Sequence, residues 1–159
     1  MRKIVFLLLI VFVSGCVSFR SSIPEGYAGD RATIEDTYSN HTGSTAHFYV
    51  LSKIDDKLIM DSGYKTRVVN SGKGFNMTPW MLSREVTTES HVFTLVGFVQ
   101  FATDGQGLFG DSMMVEKLLR LTPEPGMLYR VTGELSKSGS DIWLEDSSGK
   151  KFIGMPISK

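Results

Sequence analysis

The sequence predicts an all-β protein: a single antiparallel β-sandwich of about eight short strands, preceded by a leader and a tether. Three observations carry this. After position 30, apolar residues recur every second position rather than at helical spacing, the pattern of half-buried strands. The apolar runs are rich in Val, Ile, Phe and Tyr, which pack well on a pleated surface. Sixteen glycines, with clusters of Ser, Pro and Asp, divide the runs at short intervals suited to turns.

Taken in order, Met1-Arg2-Lys3 is a charged start and 4–13 an unbroken apolar run, closed by Ser14-Gly15-Cys16. This is the three-part plan of an export signal. Ten helical residues rise only about 15 Å, half of a hydrocarbon core of about 30 Å, so a permanent span is a poor reading. Val13-Ser14-Gly15-Cys16 resembles the lipobox of bacterial lipoproteins. The resemblance implies that 1–15 is a cleaved signal peptide and that Cys16, the only cysteine, becomes the lipidated mature N-terminus. Several acyl chains on one residue would make a durable membrane anchor. By the same likeness, Val17 in place of an Asp implies the outer membrane, with the domain facing the periplasm. Residues 16–29 carry Ser18, Ser21, Ser22, Pro24 and Gly26 with little apolar periodicity, and read as a flexible tether about 20 Å in reach.

The domain is expected over 30–159. Strands are read at 32–36 and 46–51, with Asp55-Asp56 turning the chain back through Leu58-Ile59-Met60. Residues 65–70 alternate again, and Gly72-Lys73-Gly74 ends them. The longest strand signal, His91 to Ala102, is expected at the centre of a sheet, with Gly97 marking a bulge or a close backbone approach. Met113 to Leu121 has helical propensity but reads as a strand, because 122–126 (Thr-Pro-Glu-Pro-Gly) and the alternating 128–135 complete a hairpin with it. Residues 142–146 and 151–153 are the last strands, with Trp143 expected in the core.

Composition excludes several classes of function. The 17 basic and 17 acidic residues balance, and loss of Arg2 and Lys3 with the signal leaves 15 against 17. There is no basic patch or raised pI of the kind that marks nucleic-acid binding. His41, His47 and His91 lie in unlike settings, none with a partner at metal-ligand spacing, and a triad would need one of them held between an Asp and a hydroxyl. The pairs Glu35-Asp36, Asp55-Asp56 and Glu145-Asp146 put neighbouring side chains on opposite faces, and read as solvated turns or strand edges. Residues 103–111 hold three glycines and two aspartates but lack the order of a calcium loop, and read as a mobile connection with an apolar Leu108-Phe109 tip. Residues 72–80 lack the phosphate-binding loop, but Phe75 and Trp80 could form a contact platform. No catalytic motif, metal site or cofactor site is read.

Residues 28–37, 73–79 with Arg84-Glu85-Val86, and 122–135 leading to 142–146 together resemble a group of uncharacterised proteobacterial lipoproteins. The layout is also similar to small PEGA-like and carboxypeptidase-regulatory sandwich modules of envelope proteins. This likeness implies a sandwich at the cell surface and brings no activity with it. The expected function is therefore a lipid-anchored, non-enzymatic binding or scaffolding module. Its membrane attachment runs through Cys16, and its best partner contacts are Leu108, Phe109, Phe75 and Trp80. A cell-wall hydrolase, or an inhibitor of host lysozyme or protease, is the alternative.

Overall fold

The computed structural model describes residues 18–108 and 110–157, so Cys16, the signal segment and Phe109 lie outside the described residues. Among the described residues, eleven strands form two sheets: β1 (Arg31–Glu35), β2 (Thr37–Ser39), β3 (Thr45–Ile54), β4 (Lys57–Leu58), β5 (Ser83–Thr87), β6 (His91–Phe101), β7 (Met114–Leu121), β8 (Leu128–Glu134), β9 (Asp141–Asp146), β10 (Lys151–Ile153) and β11 (Met155–Pro156). Two helices interrupt them, α1 (Ser62–Asn70) and the single turn α2 (Asp104–Gly107). One sheet runs β10-β9-β8-β1-β5; the other runs β11-β7-β6-β3-β2, with β4 paired to β3. The all-β sandwich is therefore what the chain forms. Its pairings are antiparallel except for β1 against β8, which is parallel, with Thr33 opposite Leu128.

Alternation along the strands explains how the layers meet. Ala32 and Ile34 of β1, Val131 of β8 and Ile142 and Leu144 of β9 point across to Leu51 of β3, Phe93 and Leu95 of β6 and Leu119 of β7, forming the main core between the sheets. The intervening residues of β3 and β6 belong to a second cluster on the opposite face, where Ala46, Phe48, Val50 and Val96 pack with Met77. The β3–β6 sheet is covered on both faces. Strands buried on two faces read as nearly continuous apolar runs, which is why 91–102 stood out as a central strand.

Gly97 is the close approach and not the bulge: its register opposite Tyr49 is unbroken, and a Cβ there would lie 3.0 Å from Val115 Cγ1. On the facing sheet, a Cβ on Gly133 would lie 2.6 Å from the Tyr49 ring, so two glycines flank that tyrosine. The irregular step falls between Leu51 and Lys53. Asp55 and Asp56 both take left-handed φ values, 49° and 61°, in the two-residue turn joining β3 to β4.

Five expectations need correction. Residues 122–126 do not close a hairpin: β7 pairs with β6 in one sheet and β8 with β1 and β9 in the other, so the Thr-Pro-Glu-Pro-Gly segment crosses between the layers. Residues 65–70 lie in α1 and not in a strand: Asp61 caps the helix by accepting the Tyr64 amide at 2.8 Å, and Asn70 closes it before Gly72 turns at φ 81°. Thr66, Val68 and Val69 favour strands by propensity, but hydrogen bonds from Ser62, Thr66 and Asn70, four residues apart, hold the helix in place. Residues 103–111 contain a capped helical turn rather than a loose connection, with Thr103 and Gln106 bonding each other's backbone amides. Trp143 lies on the outer face of its sheet, beneath the Lys151 ammonium at 4.0 Å, while Ile142 and Leu144 on either side take the core. Finally, the segment composed like a tether is irregular but rests on the domain. The Arg20 amide donates to the Leu58 carbonyl at 2.8 Å, and the Phe19 and Tyr64 ring centroids are 4.7 Å apart.

Candidate functional site

Of the contact residues expected from sequence, Phe75 lies at the end of the sandwich where the loop after α1 faces the end of β6. Gly72 and Gly74 reverse the chain at positive φ. Met77 then fixes it: the side chain is buried, its amide donates to the Gly43 carbonyl at 2.6 Å, and its carbonyl accepts from His41 Nε2 at 2.8 Å. Phe75, between these points, is pushed outward and stands 69% exposed. Opposite it, β6 ends at Phe101, and the Thr103–Gln106 box starts α2. Thr45, Phe75, Phe101, Thr103, Gln106 and Gly110 line an open, largely apolar groove of about 610 Å³. Phe101 and Thr103 also line a neighbouring cleft of about 490 Å³ and mixed character, which carries Arg67, Asn70, Gln100 and Asp104.

Leu108 caps α2 and is 80% exposed at the rim of this end. Phe75 and the 103–110 turn are thus brought together. Trp80 is not among the lining residues of either cavity. It lies beside α1, its amide donating to Thr66 Oγ1 at 2.8 Å and Lys65 Nζ standing 5.7 Å from its ring centroid. Phe109 and Cys16 fall outside the described residues.

The sequence reading missed a second constellation. Asp55 at the β3–β4 turn meets His91 at the start of β6: His91 Nδ1 and Asp55 Oδ2 are 2.7 Å apart, and His91 Nε2 and Thr87 Oγ1 are 2.6 Å apart. With the Nδ1 proton directed to the carboxylate, Nε2 accepts from the hydroxyl, the bonding order of a carboxylate–imidazole–hydroxyl relay. The Val92 amide, bonded to Asp55 Oδ1 at 2.9 Å, together with His91, holds the Asp55 carboxyl below the usual carboxylate range. Arg20 to Glu25, Lys57 and Glu89 surround a recess of about 600 Å³ beside this chain. Thr87 is only 2% exposed, however, so its hydroxyl is poorly placed to meet an incoming carbonyl. Asp55 and His91 are 36 positions apart, with no sequence signal of their meeting; the β3–β6 register creates it.

Nor are the carboxylate pairs all solvated. Asp36 is buried, and its two oxygens accept from the Leu51 and Ser62 amides, the Ser62 hydroxyl and both Nη atoms of Arg84, the shortest contact being 2.6 Å. This node ties the start of α1 to both sheets and is fully satisfied by protein groups, so it offers nothing to a ligand. Among the described residues, no three His, Cys, Asp or Glu side chains are grouped to hold a metal ion, and no helix is long and apolar enough to cross a membrane. Comparison of the chain with protein families, with curated proteins and with solved structures gives no match.

Proposed function

We propose that the chain is a lipid-anchored protein of the bacterial cell envelope, held through Cys16 at the periplasmic face of the outer membrane, whose sandwich is a non-enzymatic binding or scaffolding module. The anchor rests on the signal plan and the Val13-Ser14-Gly15-Cys16 lipobox. The binding role rests on one observation above all. Phe75 and Leu108 are large apolar residues that a domain with a filled core has no packing need to expose, and Phe75 lines an open apolar groove with Thr103 and Gln106 of the turn that Leu108 caps. The test is photocrosslinking in the native membrane, with the crosslinking residue placed in turn at 75, 108 and 143. The expected result is one protein adduct shared by 75 and 108, absent at 143, and lost from 108 when Phe75→Ser is added. Adducts to lipid alone, or the same adducts at all three positions, would contradict the reading.

The Asp55–His91–Thr87 chain favours a second reading, a hydrolase of cell-wall glycan or peptide. It predicts soluble fragments released from purified cell wall by the protein and not by its His91→Gln form. Equal release by both would dismiss it.

A further inference from the structure

Helix α1 is turned inside out. A helix packed on a sandwich normally sets its apolar stripe inward. Here the buried positions are Ser62, Gly63, Thr66 and Asn70, whereas Tyr64 and Val68, one turn apart, face solvent, Val68 with 53% of its surface exposed. The remaining outward positions include Lys65 and Arg67, and the helix carries no acidic residue. Its acidic N-cap, Asp61, is turned onto the Tyr64 amide. Leu58 and Met60, just before the helix, are also exposed. Exposed apolar side chains thus follow one another along the chain from Leu58 and Met60 to Tyr64 and Val68, with Lys65 and Arg67 on either flank of the helix.

The course of the N-terminal segment says what covers it. Phe19 lies against Tyr64, and the next residue, Arg20, bonds to the Leu58 carbonyl, so the chain leaves the domain across this same face. Only three peptide steps separate Phe19 from Cys16, and even fully extended they span about 11 Å. A lipid on Cys16 therefore keeps Phe19 within about 11 Å of the anchored residue, not at the end of a long free tether. Lys65 and Arg67 match negatively charged headgroups.

We propose that the outer face of α1, with Leu58 and Met60, is a membrane-seating surface that rests on an anionic phospholipid bilayer and fixes the orientation of the anchored domain. This rests on the lipid-anchor reading. The two tryptophans supply the test, because Trp80 adjoins α1 while Trp143 lies on the outer face of the β8–β9 sheet. Full-length lipidated protein, as Trp143→Phe and as Trp80→Phe, is reconstituted in phosphatidylglycerol-containing vesicles whose acyl chains are brominated near the headgroup. Quenching of Trp80 should exceed that of Trp143 by about threefold, as expected for a face immersed by about 5–10 Å. Val68→Glu, at an exposed position that should not disturb folding, should abolish the difference while leaving the lipid in place. Equal quenching of the two tryptophans in protein whose mass shows the Cys16 lipid would overturn this inference alone. A mass showing unmodified Cys16 would overturn the anchor reading and this inference with it.

Discussion

The contact between the two sheets and the seat of α1 are of similar importance to the fold but are built from opposite chemistry. Between the sheets, Ile34, Leu51, Phe93, Leu95, Val131, Ile142 and Leu144 meet without a polar group among them. Under α1, Gly63 sits against the Phe98 ring, but the buried side chains of the helix are polar: Ser62 bonds the Asp36 carboxylate that Arg84 also pairs, and Thr66 and Asn70 bond backbone carbonyls, at 2.6–3.4 Å. The first contact is non-directional and tolerates small shifts; the second holds only while every partner is present. An apolar interface loses stability in proportion to the volume removed, whereas a polar one fails abruptly when one member is lost.

The largest expected effect is therefore at the polar seat. Arg84→Ala leaves the Asp36 carboxylate buried without its counter-charge and should destabilise the domain by about 3–5 kcal/mol, read as a drop in the urea midpoint. Leu144→Ala, in the apolar interface, should lose about 2–5 kcal/mol depending on how far the site collapses, with the seat of α1 left intact. Hydrogen exchange would sharpen the contrast: Arg84→Ala should raise exchange first in 61–70, Leu144→Ala across both sheets. A smaller effect is expected at the helix cap, where Asp61→Ala should cost about 1 kcal/mol. Asp61→Asn should cost little, because Asn caps equally well and burial already pushes the Asp61 carboxyl above its usual range.

The smallest expected effect is pH-dependent and lies away from both regions. Asn40 Nδ2 donates to His47 Nδ1 at 3.2 Å, which requires a neutral acceptor nitrogen, and burial lowers the His47 pKa. With the folded value depressed, the stability His47 contributes is present above the unfolded value of about 6.5 and is lost as pH falls through that value toward the folded one. His47→Gln should therefore reduce the fall in urea midpoint between neutral and mildly acidic buffer.

The same division decides what could be read from sequence. The strands facing apolar partners are legible, since alternation and β-branched content report burial directly: β6, β7, β8 and β10 fall within the expected segments, and β1, β3 and β9 overlap theirs, β3 running on to Ile54. Strand β5 (Ser-Arg-Glu-Val-Thr) was not, because Val86 is its only apolar core residue and the Arg84 side chain, though nearly buried, is charged. Helix α1 was missed for a related reason: its inward residues are polar, and its apolar ones face outward. At the candidate binding end, Phe75 and Leu108 are exposed, but the groove that Phe75 lines depends on the 72–77 reversal meeting the end of β6, which lies in no local pattern. The Asp55–His91 meeting is likewise a product of register.

The most direct test of the central claim is the mass of the N-terminal peptide of the protein purified from its own membrane and digested with trypsin. The account predicts residues 16–20, Cys-Val-Ser-Phe-Arg, beginning at Cys16 and carrying a thioether-linked diacylglycerol. A peptide that retains residues before Cys16, or one with a free Cys16 thiol, would contradict it.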